Sequence, residues 1–165
     1  MSLIQDPPYR IFYQSPVGWL RIDTTETHLL RVWFCDRREA EDRPGALAQK
    51  TRRQLEEYFD HRRTDFNLPT DPQGSAFQQK VWKALLRIPL GKTISYLELS
   101  RWIGDEKAVR AVGHANGQNP IPIIIPCHRV IGSNGSLTGY GGGIWRKKWL
   151  LTHEGILRQL ELDFD

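Results

Sequence analysis

The sequence predicts an α+β fold, with a small N-terminal β-sheet and one helix followed by a mostly helical C-terminal domain. Three observations carry this prediction. Segments rich in β-branched and aromatic residues occur within the first 35 residues, and the helix-capping motifs occur in the second half of the chain. A proline-containing stretch, Leu-Pro-Thr-Asp-Pro, separates the two. The 165-residue length suffices for one domain or two small ones.

Three short strands come first, because their residue types favour pleated structure: Arg10–Tyr13, Gly18–Asp23 and Leu29–Phe34. The segments SPVG and DTTET supply the turns between them. A helix is predicted over Ala46–Phe59, where apolar residues recur at helical spacing. The stretch from Arg62 to Asp71 fits either a return strand or an extended linker, so the first unit ends near residue 72.

The second half opens with a helix that has a clear start signal. Ser75 followed by Gln78 is a capping-box pattern. One apolar face then follows at helical spacing, made of Phe77, Val81, Ala84, Leu85 and Ile88. A last helix is predicted over Ile144–His153.

Between these helices, the spacing predicts a pair of short helices. Ser95 with Glu98 is a second capping box, opening a helix that ends at Gly104. Asp105 is expected to cap a third helix from Glu106 to Asn116. Two short helices joined by a glycine turn form a helix-turn-helix pattern, which here is expected to be of the winged kind. Such pairs also occur in plain helical cores, so the pattern alone leaves DNA binding open.

The third helix has two unlike faces. One side gathers small apolar residues that are predicted to pack inward: Ala108, Val109, Ala111, Val112 and Ala115. The opposite side carries Glu106, Arg110, Gly113, His114 and Gly117. One long cation among glycines suits shape-dependent minor-groove binding better than the reading of base edges. The alternative is a solvated face with an ordinary exposed arginine.

Charge is distributed unevenly along the chain. Residues 1–70 hold 11 basic and 11 acidic side chains, whereas residues 71–158 hold 12 basic and 5 acidic ones, a balance of +7 within a chain of net charge +4. This favours a polyanionic partner for the C-terminal half.

Two cysteines exclude a disulfide framework, and no zinc-ligand spacing is present. The longest apolar run is too short to span a membrane and the N-terminus lacks a secretory signal, so we expect a cytoplasmic protein that does not contact membranes.

The chemical centre of the sequence is the segment Asn119-Pro-Ile-Pro-Ile-Ile-Ile-Pro-Cys127-His128-Arg129-Val130. A cysteine nucleophile needs a base to take its proton, and the base needs an orienting acceptor. Glu154, at the end of the last helix, is the candidate acceptor, because a carboxylate there opposes the helix dipole. The alternative is a buried core pair with no chemistry. Arg129 is interpreted as a structural ion-pair or hydrogen-bond donor.

This signature resembles that of the methylated-DNA–protein-cysteine methyltransferases, the 6-O-alkylguanine-DNA alkyltransferases. The resemblance covers about residues 75–155 and involves many motifs in the same order. They include Phe77-Gln-Gln-Lys-Val-Trp82, Ile88-Pro-Leu-Gly91, Ala108-Val-Arg-Ala-Val-Gly113, Thr138-Gly-Tyr-Gly-Gly-Gly143 and Arg146-Lys-Lys-Trp-Leu-Leu-Thr-His-Glu-Gly155. It implies an RNase H-like domain over residues 1–72 and a DNA-binding and alkyl-acceptor domain over residues 73–165.

The resemblance also implies roles for individual residues. Cys127 would accept the alkyl group, His128 would take its proton through a water, and Glu154 would orient His128. Asn119 would hold the turn between the recognition helix and an active-site strand. Tyr96 would press on the DNA backbone and assist protonation of the leaving guanine.

DNA contacts and a base pocket are implied as well. Arg110 would enter the base stack and replace an extruded nucleotide. The other expected DNA contacts are Ala111, Gly113, His114, Tyr96 and Ser95. The expected substrate pocket consists of Tyr140, Gly141, Gly142 and Val130.

The function implied is repair of duplex DNA by a single, irreversible transfer of an alkyl group from the 6-oxygen of guanine, and from the 4-oxygen of thymine, to Cys127. No cofactor and no metal are expected. The partner would be double-stranded DNA with alkylated bases, bound by a protein that is monomeric in solution, with cooperative assembly on DNA left open. Two alternatives remain at this point, a sensor that binds alkylated DNA without reacting and a hydrolase using Cys127, His128 and Glu154.

Overall fold

The computed structural model describes residues 6–157. These residues fall into two compact units, on either side of the bond between Gln73 and Gly74. Both contain helix and strand, and the α+β class is confirmed. No helix within the described range has the length and apolar character needed to cross a membrane.

The N-terminal unit is a three-stranded antiparallel meander covered by one helix. Its strands are β1 (Tyr9–Ser15), β2 (Gly18–Thr24) and β3 (Leu29–Cys35), in the order β1-β2-β3, and α1 spans Ala46–Phe59. Leu20 and Ile22 on the sheet and Leu55 and Tyr58 on α1 are buried, so alternate strand residues and one helix stripe share a core. The predicted strands and helix are all present.

The segment after α1 does not form the return strand that was one of its two predicted structures. Within the described residues, Thr70 makes a single parallel bridge to Leu29. Leu29 N donates to Pro69 O at 2.8 Å and Asp71 N donates to Leu29 O at 2.9 Å. Prolines at 69 and 72 lack the N–H that a longer ladder would require.

The C-terminal unit is mostly helical. Its elements are α2 (Ala76–Leu85), β4 (Ile94–Ser95), α3 (Tyr96–Trp102), α4 (Val109–Gly117), β5 (Val130–Ile131) and α5 (Ile144–His153). The residues Glu106–Ala108 and Cys127–Arg129 each form a short 3₁₀ turn. The indole Nε1 of Trp82 donates to Ala115 O at 2.8 Å and ties α2 to α4.

The capping motifs position the starts of α2 and α3. At Ser75 both hydrogen bonds of the capping box form with Gln78. At Ser95, Oγ accepts the backbone N–H of Glu98 at 3.0 Å. Of the apolar face predicted for α2, Val81, Ala84 and Leu85 are buried, whereas Phe77 in the first turn is 36% exposed.

The prediction for the third helix was wrong in part. Val112 and Ala115 are buried as predicted, but Ala108 and Val109 are only half-buried, and Ala111, expected to pack inward, is exposed. The buried side of α4 consists of Val112, Ala115 and Asn116. At about 100° per residue, Ala111 falls at the edge of that side.

Candidate active site

Cys127 follows a buried turn that is closed by hydrogen bonds from the Asn119 side chain. Asn119 Nδ2 donates to Ile125 O at 2.7 Å, while Asn119 Oδ1 accepts the N–H of Ile121 at 3.0 Å. The intervening Ile123 has a φ of +73°, a left-handed conformation that costs a β-branched residue about 1–3 kcal/mol. The side chain of Asn119 thus closes the loop between α4 and Cys127, and the surrounding packing holds the strained backbone in place.

Cys127 begins a 3₁₀ turn, and the first strand after the turn held by Asn119 is the two-residue β5, which starts three residues later. The prolines before Cys127 and the tight turn after it leave no room for a longer ladder. Cys127 is only 4% exposed, and its carbonyl accepts a hydrogen bond from Asn116 Nδ2 at 3.3 Å. Burial raises the pKa of the Cys127 thiol to about 11, although the Asn119 side chain and the Lys147 charge oppose that rise.

His128 lies next to Cys127 in the same turn, and it pairs with Glu154. Nε2 of the imidazole is 2.7 Å from Oε2 of Glu154, and both side chains are fully buried. Within the described residues, nothing hydrogen-bonds to Nδ1 of His128. Burial lowers the pKa of His128, although Glu154 acts to raise it. In the neutral imidazole, Nε2 donates to the carboxylate and Nδ1 carries the lone pair that can accept a proton.

Glu154 is also held by Arg129. Arg129 Nε is 2.8 Å from Oε1 of Glu154 and its second terminal nitrogen is 3.2 Å from Oε2. Burial by itself would raise the pKa of Glu154, but His128 and Arg129 outweigh it and hold that pKa well below its usual range. The carboxylate is therefore ionised at neutral pH.

Tyr96 and Lys147 form a second cluster in the same unit. Tyr96 Oη donates to Thr138 O at 3.0 Å, and burial raises the pKa of Tyr96. Lys147 Nζ donates to Val130 O at 2.7 Å and to Thr138 O at 2.9 Å, and lies 3.5 Å from Tyr96 Oη. Burial lowers the pKa of Lys147 to about 8. The parallel pairing of Ile94 with Val130 brings the start of α3 beside this cluster.

Three of the four residues expected to form a substrate pocket belong to the glycine loop before α5, and the fourth, Val130, begins β5. Tyr140 is buried, and its carbonyl accepts the N–H of Gly143 at 2.9 Å. A Cβ on Gly141 would come within 3.3 Å of the carbonyl of Gly117, so the loop passes close to the end of α4. Gly142 O accepts from Arg146 at 2.9 Å, and Val130 is fully buried beneath the Lys147 ammonium.

The residues expected to contact DNA belong to α4, to the start of α3 and to its cap. Arg110, Ala111 and His114 are exposed on α4. Gly113 faces the Tyr96 ring, which a Cβ there would approach to 3.6 Å. Ser95 caps α3 immediately before Tyr96.

Two residues of this centre were missed by the reasoning from sequence. Lys147 lies on the buried stripe of α5, with Leu150, Leu151 and Glu154 at helical spacing after it. A lysine on such a stripe was the available signal. Asn116 carried no comparable signal, because its contact with the Cys127 carbonyl arises only when the chain folds back.

The arrangement suits proton removal from a thiol at the moment of attack. The raised pKa keeps Cys127 protonated at rest, and a neutral histidine anchored by a carboxylate follows it directly. Across residues 6–157, no group of three or more histidine, cysteine, aspartate or glutamate side chains is placed to hold a metal ion.

Comparison with known proteins gives a consistent result. Residues 76–156 match the family described as 6-O-methylguanine DNA methyltransferase, DNA binding domain, and residues 9–72 match its ribonuclease-like domain. The methylated-DNA–protein-cysteine methyltransferase of Shigella flexneri is 45% identical over 161 residues, which cover 94% of this chain and 89% of that protein. The corresponding protein of Mycobacterium tuberculosis is 57% identical over 111 residues, 67% of each chain. The crystal structure of Mycobacterium tuberculosis OGT in complex with DNA superposes with a TM-score of 0.80 at 45% identity, covering 87% of this chain and 90% of that one.

Proposed function

The chain belongs to the methylated-DNA–protein-cysteine methyltransferase family, and from this premise we propose that it repairs DNA by moving an alkyl group onto its own Cys127. It is a DNA repair methyltransferase that binds alkylated DNA. The acceptor residue, the way the lesion reaches it and the range of lesions are the parts that we propose. The observation that carries the proposal is the buried His128–Glu154 pair at 2.7 Å, next in the chain to Cys127.

The reaction is an in-line displacement at the alkyl carbon. Cys127 Sγ forms the new carbon–sulfur bond while the bond from that carbon to the guanine 6-oxygen breaks and its electron pair passes to the base. The thiol proton passes to Nδ1 of His128, directly or through a water, and Tyr96 Oη supplies a proton to the leaving guanine. The proton held by His128 then returns through solvent to the Tyr96 phenolate, so that both side chains end neutral. The net change is a thioether and an unmodified base. Because a thioether is a poor leaving group, each molecule reacts once, and the transfer needs no donor cofactor.

Duplex DNA conceals the alkyl carbon within the base stack, so we propose that the target nucleotide is extruded. The exposed Arg110 on α4 is the side chain that we assign to the vacated space. Gly113 and Ala111 allow the helix to approach the minor groove closely, and His114 contacts phosphate. The balance of +7 over residues 71–158 supports attraction to the DNA backbone.

We place the extruded base against Tyr140, Gly141, Gly142 and Val130. Backbone groups of the glycine loop can hydrogen-bond to the base edge, and the same pocket would accept a thymine alkylated on its 4-oxygen. The enclosed, water-poor setting strengthens the pairing of His128 with Glu154.

The direct test is to mix the protein with a duplex that contains 6-O-methylguanine and to weigh the intact protein. We expect a mass gain of one methylene that maps to Cys127 and is absent in Cys127→Ser. Binding without an adduct would contradict the transfer and support a sensor. Turnover of thioesters or peptides without DNA would support a hydrolase.

A second test addresses extrusion. Arg110→Ala should slow methyl transfer from duplex DNA by about tenfold, which is about 1.4 kcal/mol, while transfer from the free modified base is unchanged. Equal rates for variant and wild type on duplex DNA would show that Arg110 is not the inserted residue.

A further inference from the structure

Arg129 is buried in the centre of the site although the proposed reaction gives it no role. Its side chain is 7% exposed and makes three hydrogen bonds. Two of them reach the two oxygens of Glu154, and the third runs from a terminal nitrogen to the carbonyl of Ile88 at 2.7 Å. Burying a guanidinium is costly unless its donors are satisfied. All three of its nitrogens are used here, so its orientation is fixed from two sides.

The Glu154 carboxylate forms hydrogen bonds with both His128 and Arg129. Oε2 of Glu154 faces His128 Nε2 at 2.7 Å and Arg129 at 3.2 Å. Without a second cation, an ionised carboxylate against a buried imidazole favours the imidazolium, which has no lone pair left for a thiol proton. A guanidinium on the same carboxylate compensates that charge.

The other charged groups around His128 act in the same direction. Arg129 precedes β5 and Lys147 lies in α5, and both positive charges lower the pKa of His128 together with burial, against Glu154. Cys127, the remaining titratable neighbour in the turn, is neutral at rest. The imidazole therefore faces one negative charge and two positive ones.

We propose that Arg129 is a positioning residue that keeps Glu154 ionised and its charge compensated, so that His128 stays a neutral imidazole with Nδ1 ready to accept the Cys127 proton. The Ile88 carbonyl, in the turn after α2, accepts a hydrogen bond from the Arg129 guanidinium and so keeps it oriented toward the Glu154 carboxylate. This inference rests on the proposed function, because the proton that His128 accepts is that of the attacking thiol.

The variants separate charge from hydrogen bonding. Arg129→Gln removes the charge and keeps a donor, while Arg129→Lys keeps the charge and loses the fork. Arg10→Lys is the matched control, because Arg10 also donates two hydrogen bonds to a buried carboxylate, that of Asp23, in the other unit. The rate of methyl transfer to Cys127 is measured as a function of pH for each protein. Nitrogen-15 NMR of the His128 ring follows its protonation directly.

We expect the acid-side fall in rate to move to higher pH by about one unit or more in Arg129→Gln. It should stay near the wild-type position in Arg129→Lys and in Arg10→Lys. A merely structural Arg129 would lower the plateau rate without moving the midpoint, and an unmoved midpoint in Arg129→Gln overturns the proposal.

The wild-type protein provides a test that does not depend on variant folding. Its His128 ring should remain neutral, with the hydrogen on Nε2, below the ordinary histidine pKa of 6.5. Protonation at or above that value would overturn the role of Arg129. If no methyl group reaches Cys127 at any pH, the proposed function fails instead, and the ring titration still reports on Arg129.

Discussion

Cys35 and Cys127 lie in different units of the protein, and burial raises the pKa of each thiol to about 11. Their neighbours differ. Cys35 ends β3 beside Glu39 and Asp36, carboxylates that raise its pKa further. Cys127 is followed by a histidine anchored to a carboxylate, and Asn119 and Lys147 favour its thiolate.

The comparison shows that a thiol's own pKa does not identify a nucleophile. Both thiols are protonated at neutral pH, so neither is reactive as it stands. What separates them is the basicity of the neighbouring group that can take the proton when an electrophile arrives. Beside Cys127 it is an imidazole anchored to a carboxylate, whereas beside Cys35 it is a carboxylate, which is a weaker base.

The largest effect is expected from exchanging Cys127 for serine, and no effect from the same exchange at Cys35. Cys127→Ser should accept no methyl group from DNA that contains 6-O-methylguanine, even though Cys35 is still present. Cys35→Ser should react at the wild-type rate and to the wild-type extent. Transfer of the isotope-labelled methyl group, measured on the isolated protein, distinguishes them; label on Cys35 would reverse the assignment.

Removing the base should be the next largest effect. We expect His128→Asn to slow methyl transfer about 10²- to 10⁴-fold, because the protonated thiol then has no nearby acceptor. His153→Asn is the control, since His153 stacks on Trp149 with ring centroids 4.9 Å apart and does not belong to the His128–Glu154 pair. Single-turnover rates give the comparison, and similar losses in both variants would show that the loss in His128→Asn does not report a specific base.

The two thiols should behave alike in stability although they differ in chemistry. Each has a pKa above its unfolded value of 9.0, so its contribution to stability is complete below about pH 9 and is lost as the pH rises through about 11. For Cys127 the loss should be about 2–3 kcal/mol, and it should be smaller for Cys35, which is less enclosed.

Urea unfolding of the wild type and of each serine variant between pH 8 and pH 11 measures this directly. The wild-type advantage over Cys127→Ser should shrink as the pH rises. An advantage that stays constant would show that the Cys127 thiol is not buried in its neutral form.

The smallest effect is expected on the alkylation rate of Cys35 when a neighbouring carboxylate is removed. Glu39→Gln removes a charge that raises the pKa of Cys35, so alkylation of that thiol by iodoacetamide should quicken roughly threefold, equivalent to half a pKa unit. Methyl transfer from DNA should still go to Cys127 alone. The modified cysteine is identified by peptide mapping, and methyl transfer to Cys35 in this variant would mean that thiol pKa, not the neighbouring base, selects the acceptor.

Local signals in the sequence predicted much of the fold. The strands of the N-terminal sheet, α1 and α5 all lie where residue type and periodicity placed them. The capping box at Ser75 forms as its spacing required. The errors arose where one geometry gives way to another. A 3₁₀ turn precedes α4, whose buried side is centred on Val112, Ala115 and Asn116 and leaves Ala111 exposed, and a second 3₁₀ turn at Cys127 precedes a strand of only two residues.

The sequence by itself determined the family, because many short motifs occur in order over residues 75–155 and the comparisons confirm that resemblance. It also pointed to Cys127, His128 and Glu154 as the chemical group, since residue type alone restricts which side chains can attack, accept a proton or orient a base.

Only the tertiary structure decided how charge is shared inside the site. Lys147 on the carbonyls of Val130 and Thr138, and Arg129 between Ile88 and Glu154, are contacts between residues up to 41 positions apart. Burial and distance set the interaction energy of two charges, and neither is written in local sequence. The pattern identified which groups react, and the folding of distant segments onto one another set their protonation states.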